Sequence, residues 1–208
     1  MLRKLNSPAS KINPHSDADD GNVLEYRGPI RLAKPSGPKS ALRTHKTTIF
    51  VSRTSLATNG SGVVTGALLS SAVTGASEWA QYQVLYNEYR VLGMEVLFTP
   101  VYKVNQSGTG AFTAPVINYA PVRSNVAAPS ASTQVLTNES CVTKSGHDSH
   151  KMLVRMSGSE EAIWFDTAST FSSTSAYGVF WFGDLGTASS GTFMYADLRM
   201  LVEFRLRS

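Results

Sequence analysis

The chain has 208 residues, which is enough for one domain with a full core. Hydrophobic residues make up 42% of it and charged residues only 16%, below the usual quarter of a soluble protein. Cys141 is the only cysteine, which excludes an intrachain disulfide and a cysteine-based zinc site. No signal-peptide core and no membrane-length apolar stretch is visible. We therefore expect a protein of the cytoplasm or nucleus without a membrane partner, and the low charge favours burial in an assembly.

Positive charge is concentrated at the beginning of the chain. Residues 1–54 contain ten Lys/Arg against four Asp/Glu, a net charge of +6, whereas residues 55–208 contain nine against eleven, a net charge of −2. A basic segment on a nearly neutral body predicts a polyanionic partner, although a merely solubilising tail has the same composition.

The first forty residues are rich in Pro, Gly and Ser, as in Lys34-Pro35-Ser36-Gly37-Pro38-Lys39. Proline at this density prevents both a helix and a paired strand. We therefore predict a flexible arm over residues 1–42 and a folded domain over residues 43–208. The acidic Asp17-Ala18-Asp19-Asp20 indicates a charge-balancing linker. The basic side chains expected to contact phosphates of nucleic acid, without sequence preference, are Arg3, Lys4, Lys11, Arg27, Arg31, Lys34, Lys39 and Arg43.

From residue 43 onward, apolar and polar residues alternate with the period of a β-strand. The clearest alternation is in the last run, where Met194, Ala196, Leu198, Met200, Val202, Phe204 and Leu206 share a predicted buried face. Almost no helix is expected, which indicates a sandwich or barrel with Greek-key connections. Eight runs have strand character: the run from residue 43, then Gly62–Ser70, Tyr89–Tyr102, Ala114–Tyr119, Ser149–Met156, Ala162–Asp166, Ala176–Phe182 and Gly191–Leu206.

Two short segments are predicted to be helical. Ser77 is the expected N-cap of the first, in which Trp79, Tyr82 and Tyr86 recur at three- and four-residue spacing and so share one face. A weaker turn is expected over 132–136. The shared aromatic face predicts that this helix packs against the sandwich and does not bind a ligand.

Motifs for catalysis or cofactor binding are weak. His147 and His150 lie three apart in a loop that leads into a strand, where their side chains diverge, and Glu160 and Glu161 point to opposite faces of a strand. Neither pair predicts a metal site or a catalytic site, so we expect no enzyme activity, no metal and no cofactor. Trp181 lies in the apolar run Tyr177–Phe182, which we expect to serve in core packing or in subunit contact and to leave apolar area exposed on an isolated subunit.

The predicted helix is followed by the run Tyr86-Asn87-Glu88-Tyr89-Arg90, which leads into a long strand. This pattern resembles the shell domain of coat proteins from small icosahedral viruses of the tombusvirus-like and sobemovirus-like type, which is also found in some circular single-stranded DNA viruses. The resemblance implies an all-β fold with an eight-stranded antiparallel jelly roll. It also implies that Trp79, Tyr82, Tyr86, Tyr89, Arg90 and Trp181 have structural or assembly roles.

The resemblance further implies a virion structural protein that self-assembles into an icosahedral shell of roughly 60 or more copies and packages the viral genome through its basic arm. A carbohydrate-binding, lectin-like jelly roll is the main alternative, and a cupin-type enzyme is the third. Neither alternative explains the basic arm. A cupin also needs histidines on facing strands.

Overall fold

The computed structural model describes residues 44–103, 115–123, 127–155, 163–169, 176–185 and 191–206. Helices are short: a 3-10 helix at Ser70–Gly75, α1 at Trp79–Leu85 and α2 at Thr133–Leu136. No helix among the described residues is long and apolar enough to span a membrane. The strands of these ranges are β1 (Thr44–Ala57), β2 (Val63–Leu69), β3 (Glu88–Pro100), β4 (Val116–Val122), β5 (Val142–Ser145), β6 (His150–Arg155), β7 (Phe165–Asp166), β8 (Gly178–Asp184) and β9 (Thr192–Arg205).

The strands form two antiparallel sheets. The first sheet has the order β1-β9-β3-β6, with β7 paired to the beginning of β3, and the second has the order β2-β8-β4-β5. Most neighbouring strands are far apart in sequence, and most successive strands lie in different sheets, as in a Greek key. The predicted all-β sandwich is confirmed.

The longest pairings hold the first sheet together, because β9 lies between β1 and β3 and pairs with both. One register shift lies between Phe50 and Ser52 of β1, and another lies between Val91 and Gly93 of β3. Each shift restores the apolar side chains on both sides of it to the same face. The inward face of the sheet is therefore apolar along most of its length.

The predicted buried face of β9 is confirmed from Met194 to Phe204, where every second residue is completely buried. Leu206 is the exception, since it follows the strand and is 44% exposed. The core between the sheets also contains Ile49, Leu56, Phe98, Tyr119 and other large side chains with almost no exposed surface.

Several local predictions were wrong. The structure adds β5 and the 3-10 helix, and it reduces the predicted strand 162–166 to the two residues of β7. The N-cap of α1 is Glu78 rather than Ser77, and no side chain forms a capping hydrogen bond there. Because α1 has only seven residues and is fixed by aromatic packing, a capping side chain is not needed to define its beginning.

Candidate assembly site

A cluster of aromatic rings connects α1 to the end of the first sheet where β1 and β3 begin and β9 ends. Trp79 is 4% exposed and packs edge-on against the buried Tyr89, with 4.6 Å between ring centroids and 82° between ring planes. It also contacts Phe204 at 5.7 Å. Trp79 therefore fixes the helix to two strands at once.

The two remaining tyrosines of α1 and its exit stack on the other rings of this end. Tyr82 lies parallel to Phe204, 4.5 Å between centroids, and Tyr86 lies 5.4 Å from the same ring. The exposed ring of His45, from the beginning of β1, covers both tyrosines at 6.2 and 5.8 Å. We call the rings of Trp79, Tyr82, Tyr86, Tyr89 and Phe204 the aromatic cluster.

Arg90 lies on the outward face of the first sheet, beside the aromatic cluster. Its guanidinium donates to Glu203 Oε2 at 2.7 Å and packs over the ring of Trp164, 4.6 Å from the centroid. Lys46 Nζ lies 3.6 Å from Glu203 Oε1 on the other side. Glu203 is thus 4% exposed but bridges cations from β1 and β3.

The same arrangement continues across the sheet. The guanidinium of Arg205 also packs over the ring of Trp164, 4.0 Å from the centroid, and it donates a hydrogen bond to the carboxylate of Glu88. Arg53 donates to both carboxylate oxygens of Asp197, at 2.6 and 2.8 Å, and Asp197 raises the pKa of Arg53 above its usual value. On the outward face of β9, Asp197 and Glu203 are thus buried beneath long basic side chains.

Trp181 has a different role from the residues of the aromatic cluster. It is 3% exposed and contacts Phe98 edge-on inside the core, and a Cβ at Gly66 would lie 2.2 Å from its ring. The expectation that the run Tyr177–Phe182 leaves apolar area exposed is wrong. One face of β8 lies in the core, and α2 covers Phe182 on the other face through the buried Val135.

Exposed apolar side chains occur at both ends of the sandwich. Val84 and Leu85, in the last turn of α1, are 85% and 59% exposed. At the opposite end, where β3 finishes and β4 begins, Val101, Tyr102 and Val116 are each more than a third exposed. Side chains at both ends are thus available for contacts with other molecules.

His147 and His150, which were expected to lie in a loop leading into a strand, have different surroundings in the structure. The His147 ring lies 3.0 Å from the backbone oxygen of Tyr102, whereas the His150 ring packs between aromatic side chains of the core. In the described residues, no group of three His, Cys, Asp or Glu side chains has the geometry of a metal site.

All eight predicted nucleic-acid-binding residues lie outside the described residues: Arg3, Lys4, Lys11, Arg27, Arg31, Lys34, Lys39 and Arg43. Their role stays a prediction. The described chain begins at Thr44, which pairs with Arg205 beside the aromatic cluster.

No family model matches this chain, and no curated protein matches it in sequence. Solved structures do match. The Cocksfoot mottle virus structure is 12% identical with a TM-score of 0.53, and the match covers 78% of this chain and 94% of that one.

The chain has the jelly-roll fold of icosahedral viral capsid proteins. The empty head of Turnip Yellow Mosaic Virus is 11% identical with a TM-score of 0.52, covering 88% of this chain and 90% of that one. The decameric BFDV capsid protein is 12% identical with a TM-score of 0.52, covering 78% of this chain and all of that one. At these identities the likeness concerns the fold, and the jelly roll extends over most of each chain.

Proposed function

We propose that this chain is a viral capsid protein whose jelly roll self-assembles into a closed icosahedral shell of roughly 60 or more copies. The observation that carries the proposal is the two-sheet jelly roll of this chain, which matches viral capsid structures in fold over most of its length. The BFDV capsid protein, a structural neighbour, has been solved as a decamer and as a 60-mer. The virion is then the place where this protein functions, after assembly in the host cytoplasm or nucleus.

The surface of the jelly roll supports association with further copies. Val84 and Leu85 lie at one end and Val101, Tyr102 and Val116 at the other, so the two apolar surfaces are on opposite ends of one subunit. Contacts between unlike surfaces produce rings or closed shells when the rotation between copies closes. Association would remove these side chains from water, which favours assembly.

The six residues to which the resemblance assigns structural or assembly roles support this function by stabilising the subunit. Trp79, Tyr82, Tyr86 and Tyr89 hold α1 against the sheet, and Arg90 links β3 to β9 through Glu203. Trp181 fills the core next to Gly66. We propose that they act on assembly indirectly, by keeping both surfaces in a fixed position, and that the protein requires no enzymatic chemistry or cofactor.

We further propose that the arm, residues 1–42, contacts the genome. Lys and Arg side chains in a segment rich in proline and glycine neutralise phosphates without being held in register with base edges. Binding is therefore expected to be independent of sequence and to weaken steeply as salt rises, because neutralised phosphates release their counterions.

Particles from three chains test this role: the full chain, a chain lacking residues 1–40, and a full-length chain with the eight basic residues changed to Gln. The Gln variant is the matched control, since it keeps the length of the arm and removes only charge. We expect both variants to contain less nucleic acid per protein than the full chain, measured by the ultraviolet absorbance ratio. Equal nucleic-acid content in all three would contradict the arm's role in packaging.

A further inference from the structure

His150 is the first residue of the edge strand β6, and its ring is inserted between the two sheets. The ring stacks on Phe98 of β3, 4.8 Å between centroids and 10° between planes, and it meets Tyr119 of β4 at 4.1 Å and 65°. One imidazole therefore connects an edge strand of the first sheet to an inner strand of the second.

Both nitrogens of this ring are buried and have no hydrogen-bond partner among the described residues. The nearby Tyr119 hydroxyl donates to the sulfur of Met194 at 3.4 Å and is itself completely buried. Burial in these apolar surroundings lowers the pKa of His150 to about 4, because the lost hydration of a charged ring outweighs the opposing effect of nearby Asp148.

The charged groups near His150 lie in the segment that precedes it. Asp148, through its backbone and its carboxylate, opposes the lowering of the His150 pKa, and Lys144 of β5 adds to it. The residues facing the ring from β3 and β4 are the neutral Phe98 and Tyr119. A positive charge on His150 would therefore be poorly stabilised in the packed position and better stabilised in water beside the carboxylate of Asp148.

The turn between β5 and β6 is held by contacts that tolerate acid. Gly146 N donates to Pro115 O at 2.8 Å, and Asp148 N donates to Ser145 O at 3.0 Å. His147 Nδ1 lies 3.0 Å from Tyr102 O, and a protonated ring still donates to this oxygen. Of the contacts that hold the segment 145–150, the packing of His150 is thus the one that a proton opposes.

We propose that His150 is an acid-sensitive latch: when its ring takes up a proton, it leaves the space between the sheets and releases the turn and the beginning of β6. The released ring takes up a proton near the ordinary imidazole pKa, whereas the packed ring does so only near 4. Closure is thus fully favoured above about pH 6.5 and is weakened as the pH falls toward 4. If the chain forms shells, as the proposed function states, opening the end of the sandwich where β6 begins would loosen the contacts between subunits at that end.

Hydrogen–deuterium exchange of the full chain, read by mass spectrometry on peptides covering 142–155, tests the latch. After correction for intrinsic exchange, we expect the protection of these peptides to fall about tenfold for each pH unit below about 6.5. His150→Phe keeps an aromatic ring in the same space and cannot be protonated, so its protection should not follow this dependence. His147→Gln is the matched control, and it should keep the dependence of the unmodified chain.

The same pH dependence in His150→Phe, or none in the unmodified chain, would overturn the latch. If His150→Phe does not fold, His150→Leu serves in its place, with lower protection at every pH but no acid-dependent step. The readout concerns the subunit and is obtained whether or not shells form, so failure of the latch and failure of the proposed function are distinguishable.

Discussion

The two ends of the sandwich are closed by aromatic rings in different ways. At the α1 end, Trp79 contacts the rings of Tyr89 and Phe204, and all three side chains are neutral between acid and neutral pH. At the end where β6 begins, the inserted ring is the imidazole of His150. Both arrangements bury ring surface, but only at the β6 end is an imidazole inserted between the sheets, whereas the imidazole of His45 at the α1 end lies exposed on the outside of the aromatic cluster. We infer that the α1 end provides constant stability and the β6 end provides stability that depends on pH.

The strongest test of the α1 end is Trp79→Ala. Removing a ring that is 4% exposed and contacts Tyr89 and Phe204 should lower the free energy of unfolding by about 3–5 kcal/mol. Urea unfolding followed by the fluorescence of the remaining tryptophans measures this. Val84→Ala, on the exposed side of the same helix, is the matched control and should change the subunit stability by about 0.5 kcal/mol or less. An unchanged stability of Trp79→Ala would show that α1 does not seal this end.

The middle of the sandwich, between the two ends, is tested by Gly66→Ala. A Cβ at this position would lie 2.2 Å from the ring of Trp181, so the ring or the β2 backbone has to move, at a cost of about 1–3 kcal/mol. Gly60→Ala is a suitable control, because a Cβ there has no atom within 4 Å. Equal unfolding midpoints of the two variants would mean that the core around Trp181 is loosely packed.

The pH dependence of the β6 end is the next effect in size. A packed pKa of about 4 against an ordinary value of 6.5 costs about 1.4 kcal/mol of stability at about pH 5.5, and the loss disappears above about pH 6.5. The free energy of unfolding is therefore compared between the unmodified chain and His150→Phe, at about pH 5.5 and again above about pH 6.5. The carboxylates are the same in both chains, so the difference isolates the contribution of His150. The proposed difference between the two ends is contradicted if, as the pH falls, peptides from the aromatic cluster lose their protection from hydrogen exchange before the peptides covering 142–155.

The smallest expected effect concerns the outward face of the first sheet. Glu203→Gln keeps an acceptor for Arg90 but removes the charge shared with Lys46, and we expect a loss of about 1 kcal/mol because both cations are partly exposed to water. A double-mutant cycle with Arg90→Gln measures the coupling. The absence of coupling would indicate that packing against Trp164, rather than the ion pair, fixes Arg90.

The parts of the molecule that were predictable from sequence are those set by local periodicity. The alternation in β9 and the aromatic spacing in α1 each follow from residues a few positions apart. The burial of Glu203 was not predictable, because it depends on Lys46 and Arg90 from strands that are distant in sequence. The expectation of an exposed Tyr177–Phe182 failed for the same reason, since the cover over Phe182 is supplied by α2.

The most direct test of the central proposal is electron microscopy of the purified full chain at neutral pH. We expect closed shells of uniform diameter, because a jelly roll with apolar surfaces at opposite ends can assemble into a closed particle. A subunit that stays monomeric at high concentration, with no closed particles under any salt condition tested, would contradict the capsid role.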